Sequence, residues 1–200
     1  MASANLHEKA NGTRLSRLLV DKGTEAMRQT FDNIHPPATL ATVLNAKVTQ
    51  LQKIRYKIIN KSQWDELYPP AGNPSSKNFD ITLLVILLRN ICSLLNPAAG
   101  WNTMPPNIDS SVEANIVRIK LFRNEVYAHV VATEVDDAKF EYLWQEISKA
   151  LMELGIPPHE IDGLKKKPLS PEEEIYVQHL KDWKIKEDEC NEGLDEVKRK

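Results

Sequence analysis

Prolines decide where regular structure in this chain must stop. Most of the twelve fall in clusters: HPPA at 35–38, PPAGNP at 69–74, NPAAGWNTMPP at 96–106 and IPP at 156–158. Each cluster removes backbone donors and biases the preceding residue away from helical geometry, so neither a helix nor a central strand runs through it. Between the clusters, apolar residues recur at helical spacing and no segment alternates as a strand would. The expectation is an all-α helical bundle over residues 12–160, followed by a long charged helix over residues 170–200.

Start and stop signals set the expected elements. The spacing predicts a first helix over 13–33, with Leu15, Leu18, Leu19, Met27 and Phe31 inward and Gly23 as a weak point. A second begins near Pro37, breaks around Asn45 and carries Val48, Leu51, Ile54 and Ile58 on one stripe, before a short turn in which Trp64 and Tyr68 plug the core. Asp80 caps ITLLVILL, a segment apolar nearly all round that belongs at a bundle centre. Ser110 and Glu113 have capping-box spacing for a helix over 111–131. Asp136 opens another that ends at Gly155, with Phe140, Leu143, Ile147, Leu151 and Leu154 inward. Ser170, Pro171 and Glu173 repeat the start signals for the last helix.

In that last helix Tyr176, Leu180, Trp183, Glu187, Cys190, Leu194 and Val197 follow alternating spacings of four and three, a heptad seam containing one glutamate. Two readings stand side by side: a helix that packs back on the bundle, or a short coiled coil or linker that meets another protein or domain. Residues 171–200 carry ten acidic and six basic side chains, a net of −4 against +2 for the remainder. Neither value is the basic balance of a protein that binds duplex DNA along its length.

Other classes fall away on composition. ASANLHEKAN after Met1 has no apolar stretch for a signal peptide, and ITLLVILL is far shorter than the roughly 20 residues of a membrane span. Cys92 and Cys190 have no second Cys or His at ligand spacing, which excludes a zinc finger, a RING cluster and a disulfide framework within this sequence. No metal and no cofactor are expected, and a reducing, cytoplasmic setting follows.

Residues 123–129 read RNEVYAH. At 100° per residue, Val126 lies midway between Arg123 and His129, about 60° from each, with Ile119 and Val130 close to its stripe. Two polar side chains thus flank an apolar seam of Ile119, Val126 and Val130. Two copies meeting on that seam would bring paired arginines and histidines together, so a homodimer is expected. Such a set suits RNA cleavage by the RNA's own 2′-hydroxyl. An imidazole passes protons near neutral pH, a guanidinium offers a fork to phosphate oxygens, and Asn124 could orient either. The plain alternative is a histidine and an arginine that satisfy polar groups at a helix interface. Arg28 and His35 match the same loose spacing, but that pair ends on two prolines and its arginine is followed by Gln29.

The pattern on the 111–131 helix resembles the Arg-x4-6-His signature of the HEPN superfamily, including the polar residue after the arginine. HPPATL, VLNAK, FDITLLVILLRNIC, Gly100-Trp101 and WQEIS at 144–148 are similar to the HEPN domain of the DAZ-interacting zinc-finger ubiquitin-ligase type, over residues 12–155. The resemblance implies a helical bundle that often dimerises. Some members are metal-independent RNases, with Arg123, Asn124 and His129 here in the catalytic positions; others act as RNA-binding or assembly modules. It also implies attachment to larger signalling, immune or ubiquitin-ligase systems. One feature of the residues themselves favours RNA: from Ala46 to Lys61 there are five basic side chains and no acidic one. On a continuous helix Lys53, Lys57 and Lys61 would share a face beside Tyr56, a stacking candidate. A solvated face is the alternative there.

Overall fold

The computed structural model describes residues 2–55, 57–132 and 135–198, with side chains described for 7–55, 57–129, 135–170, 172–173 and 175–189. Among these residues every regular element is helical: α1 Ala2–Arg17, α2 Thr24–Ile34, α3 Leu40–Gln52, α4 Lys61–Leu67, α5 Ile81–Ile91, α6 Val112–Ala132, α7 Asp137–Glu153, α8 Pro158–Lys166 and α9 Ile175–Lys198. The all-α expectation holds. The chain divides into two compact units, Met1–Ala26 with Leu95–Lys184, and Met27–Leu94 with Ile185–Lys200.

In the first unit α1, α6 and α7 pack on one another, and α8 packs on α7. α1 begins well before the expected residue 13. Its early turns carry no apolar stripe and are held by polar contacts instead: buried Asn11 donates to the Val135 carbonyl (3.1 Å) and to Asp137 Oδ1 (2.9 Å), and His7 Nε2 lies 2.8 Å from the same carboxylate. Hydrophobic periodicity cannot register such an anchor. Leu18–Gly23 then forms one wider π-helical turn before α2, ending at the glycine that looked weak in sequence.

α6 starts as expected but is capped differently. Ser111 Oγ accepts from the Ala114 amide (3.2 Å), while Glu113 accepts from the Leu95 amide (3.0 Å) instead of closing a box with Ser110. α7 matches its signals. Asp136 accepts from the Lys139 amide (2.8 Å), and the helix ends in a Schellman motif. There Ile156 donates to Leu151 O, Gly155 donates to Met152 O, and Gly155 sits at φ 99°, a left-handed geometry that favours glycine. All five expected inward residues of α7, from Phe140 to Leu154, are buried.

In the second unit α5 is the core. Every residue from Ile81 to Leu88 is buried, and Asp80 caps the helix by accepting from the Leu83 amide (2.7 Å). α3 runs unbroken through Asn45 and stops at Gln52, where a break and a continuation were expected. Ile54, Ile58 and Ile59 are all buried, a set that a straight helix would splay over too wide an arc. The chain turns at 53–55, and Asn60 and Gln63 then form a reciprocal capping box that starts α4 (Asn60 Oδ1 from Gln63 N, 2.9 Å; Gln63 Oε1 from Asn60 N, 3.2 Å). Tyr68, half-buried, donates from its hydroxyl to Leu44 O (2.7 Å), and burial pushes that phenol up to about 12.

Candidate functional site

α6 supplies the motif, and its surroundings explain what each side chain can do. The helix is buried on several sides from Ala114 onward, so the polar residues on it are engaged within the chain. Arg118 donates to Asn115 Oδ1 (2.8 Å) and Pro106 O (2.7 Å). Lys120 donates to Trp101 O (3.2 Å) and Asn102 Oδ1 (2.6 Å). Asn115 donates to Ser110 O and to Glu153. These three hold the irregular segment before α6 by its backbone carbonyls, which otherwise lack helical or strand partners.

Arg123 continues that row and is only 1% exposed. Its guanidinium carbon lies 4.7 Å from the centroid of the Trp183 ring, a cation–π contact supplied by the first half of α9. Trp183 is itself 3% exposed, and Leu180, one turn earlier, is fully buried. His129 and Asn124 are each half-buried, and Asn124 Oδ1 makes no hydrogen bond among the described residues. Arg123 and His129 thus share a helix but not an environment, one enclosed under an indole and the other reaching solvent.

The seam is corrected by the same packing. Ile119 and Val126 are both 0% exposed, closed over by the chain's own helices, so they are core and not an open stripe for a second copy. The side chain of Val130 lies outside the described residues. In the terminal heptad, Leu180, Trp183 and Glu187 are buried within the chain, while Cys190, Leu194 and Val197 have side chains outside those described.

The lysines do not form one helical stripe. Lys53 is the C-cap that follows α3, Lys57 lies in the turn and Lys61 opens α4. Lys53 and Lys61 are exposed and Lys57 is half-exposed, so the cluster keeps its charge at the surface of the second unit although its geometry differs. Arg55 lies over the Trp64 ring at 4.4 Å, and Tyr56 lies outside the described residues. Lys57 also lines a depression of about 190 Å³ with Asn60, Gln63, Thr82, Lys186 and Glu189. The Arg28 and His35 pair is structural: Arg28 donates to Ser76 O (3.0 Å), and His35 Nε2 lies 3.3 Å from Ile91 O.

Sequence reasoning missed the arrangement that secures α9. Arg17, 1% exposed, pairs with Glu173 at 2.7 Å and also donates to Leu164 O. Glu173 closes a capping box with Ser170, accepting from its amide at 3.0 Å. The box was legible, but its arginine was not, because nothing local links residues 17 and 173. Burial of Glu173 acts to raise its carboxyl, but the Arg17 hydrogen bond and the Ser170 amide outweigh it and hold it below the ordinary range. Nearby Asp21 is pushed upward, chiefly by burial.

Among the described residues, no helix is long and apolar enough to cross a membrane, and no group of three His, Cys, Asp or Glu side chains could hold a metal ion. A family model described as DZIP3/hRUL138-like HEPN matches residues 37–177. The human E3 ubiquitin-protein ligase DZIP3 (Homo sapiens) is 29% identical over 160 residues, 78% of this chain. The mouse protein of the same name (Mus musculus) is 28% identical over the same share. The chain spans 13% of the length of these relatives. No solved structure matches it significantly.

Proposed function

Because the chain belongs to the DZIP3/hRUL138-like HEPN family, we propose that it is a HEPN-type module that binds RNA or a protein partner within a ubiquitin-ligase-type system. The carrying observation is the enclosure of Arg123. A guanidinium 1% exposed beneath an indole has no room for a scissile phosphate, which favours binding over cleavage in this conformation. The surface lysines Lys53, Lys57 and Lys61 supply the sequence-independent part of an RNA contact. Self-association belongs to the same reading, through a surface other than Ile119 and Val126.

The test is purified protein on labelled single-stranded RNA in excess chelator, run beside a measurement of mass in solution. The expected result is retention without product. Charge reversal of Lys53, Lys57 and Lys61 to Glu should weaken retention and flatten its salt slope by about 2. A second reading, a metal-independent endoribonuclease using Arg123, Asn124 and His129, is favoured by the half-exposed His129 on the same helix. It predicts 2′,3′-cyclic products and a loss of about 10²- to 10⁴-fold in rate in His129→Ala.

A further inference from the structure

Away from the motif helix, the first unit holds a cleft of about 290 Å³ between α7 and α8. We propose that this cleft docks a short peptide segment of a partner protein, with an apolar side chain entering over Trp144 and a neighbouring lysine or arginine meeting Asp162. The inference deepens the protein-partner side of the function proposed above and rests on that reading.

The cleft follows from how the chain turns. The Schellman motif at Gly155 ends α7, and the prolines at 157 and 158 start α8, which packs against it. Only Ile161 of α8 is buried. The rest of this short helix is placed by polar contacts: Glu160 with Lys22, the Leu164 carbonyl with Arg17, and Lys165 Nζ with Glu141 Oε2 at 2.6 Å. These contacts fix α8 along its length, so the cleft is formed before anything enters it. Its floor is apolar, since Trp144 and Ile161 are 4% and 2% exposed, and Met152 adds an adaptable thioether at the rim. The volume is near the lower end of ligand clefts, which run from roughly 300 to 1,000 Å³. It suits an apolar side chain or two, and not a folded surface.

Two polar groups in the cleft lack partners. Ser148 lines it at 9% exposure, and its buried hydroxyl makes no hydrogen bond among the described residues. A serine inside a helix can bond the carbonyl four residues back, as Ser16 does with Gly12 O at 2.9 Å. Ser148 leaves that bond unmade, on the face where Trp144, Gln145 and Met152 stand three or four positions away. A peptide backbone brings both an N–H and a carbonyl, so it can satisfy the hydroxyl in either sense. Gln145 and Met152 are exposed, so their side chains are free to swing aside for it. At the rim the Lys165 charge is taken by Glu141, whereas the exposed Asp162 carboxylate has no hydrogen bond or ion pair among the described residues. An uncompensated carboxylate beside an apolar floor selects a basic segment with an apolar anchor.

The experiment selects phage-displayed random dodecapeptides on the full chain and measures the enriched peptides by fluorescence anisotropy. RNA retention and mass in solution are followed on the same preparations. Enriched peptides should pair a bulky apolar residue with a nearby lysine or arginine. Met152→Glu should weaken them by about tenfold, and Ser148→Ala by about threefold, with helix content and RNA retention unchanged. Asp162→Lys should lose the basic peptides and, in a fresh selection, enrich acidic ones, an inversion that a merely structural aspartate would not produce. Enriched peptides that ignore all three substitutions overturn the cleft and leave the protein-partner reading standing. A selection that enriches no shared pattern overturns the proposal together with that reading. Loss of RNA retention in Met152→Glu would assign the cleft to RNA, and a fall from dimer to monomer mass would assign it to a second copy; either overturns the peptide.

Discussion

Arg17 and Glu173 stand 2.7 Å apart, Nη1 to Oε1, although 156 positions separate them in the chain. The arginine is almost wholly enclosed, so the carboxylate is its counter-charge and not a surface ornament. Removing that charge leaves a cation buried without it. Glu173→Gln should lower stability at neutral pH by about 3 kcal/mol, read by urea unfolding.

The same pair gives a pH signature. Glu173 is held below the ordinary carboxylate range in the folded state, so its contribution is present above the unfolded value and lost as pH falls through the folded one. Asp21 is raised by burial, despite a hydrogen bond from Tyr176, so its contribution has the opposite sign: present in acid and lost as pH rises through its folded value. In melts from pH 3 to 7, Glu173→Gln should flatten the acid loss of stability. Asp21→Asn should steepen it and should not destabilise the neutral protein.

Core membership of the motif helix is tested by truncation. Ile119→Ala should cost about 2–5 kcal/mol in urea unfolding, as enclosed isoleucines do. Val126→Asp should prevent folding instead of releasing a folded monomer from a dimer. A folded Val126→Asp monomer on a sizing column would show that the valine is at a surface after all.

Cys92 offers a probe of the second unit. Burial pushes its thiol up to about 12, and the side chain is enclosed, so at pH 8 it is neither ionised nor reachable. In a Cys190→Ser background, a thiol reagent should modify native protein only as fast as it unfolds, and should react at once in denaturant.

The capping box that opens α4 is worth a direct measurement. Asn60→Ala should cost about 1 kcal/mol. Gln63→Ala should cost more, because Gln63 also donates to both oxygens of Asp80 (3.2 and 3.3 Å). Equal losses from the two would remove Asp80 from this account.

The elements that sequence located best were those with local signals at both ends. α7 has Asp136 at one end and Gly155 at the other, and α5 has Asp80 followed by seven apolar residues and one threonine in eight positions; both came out within a turn or so. The errors lie where a nonlocal partner decides. α1 starts early because Asn11 finds the backbone of Val135, and no spacing rule reports that. The lysine stripe fails because α3 stops at Gln52 and a separate helix starts at a box, Asn60 to Gln63, whose residues are readable in the sequence. At the candidate site, RNEVYAH fixed which helix carries Arg123 and His129. It could not say that Trp183, 60 residues downstream, would cover one and leave the other half open.

The division of the chain has a consequence for its synthesis on the ribosome. The second unit draws its main segment from Met27–Leu94, whereas the first needs Met1–Ala26 to meet Leu95–Lys184. Translation is vectorial and domains fold as their residues emerge. Met27–Leu94 is therefore complete while α1 still waits for the helices it packs on. A nascent chain that ends before Leu164 carries Arg17 with neither its carbonyl acceptor nor its carboxylate yet translated. Arg17 stays unclamped until Glu173 arrives, and the second unit receives its last segment, Ile185–Lys200, only after that.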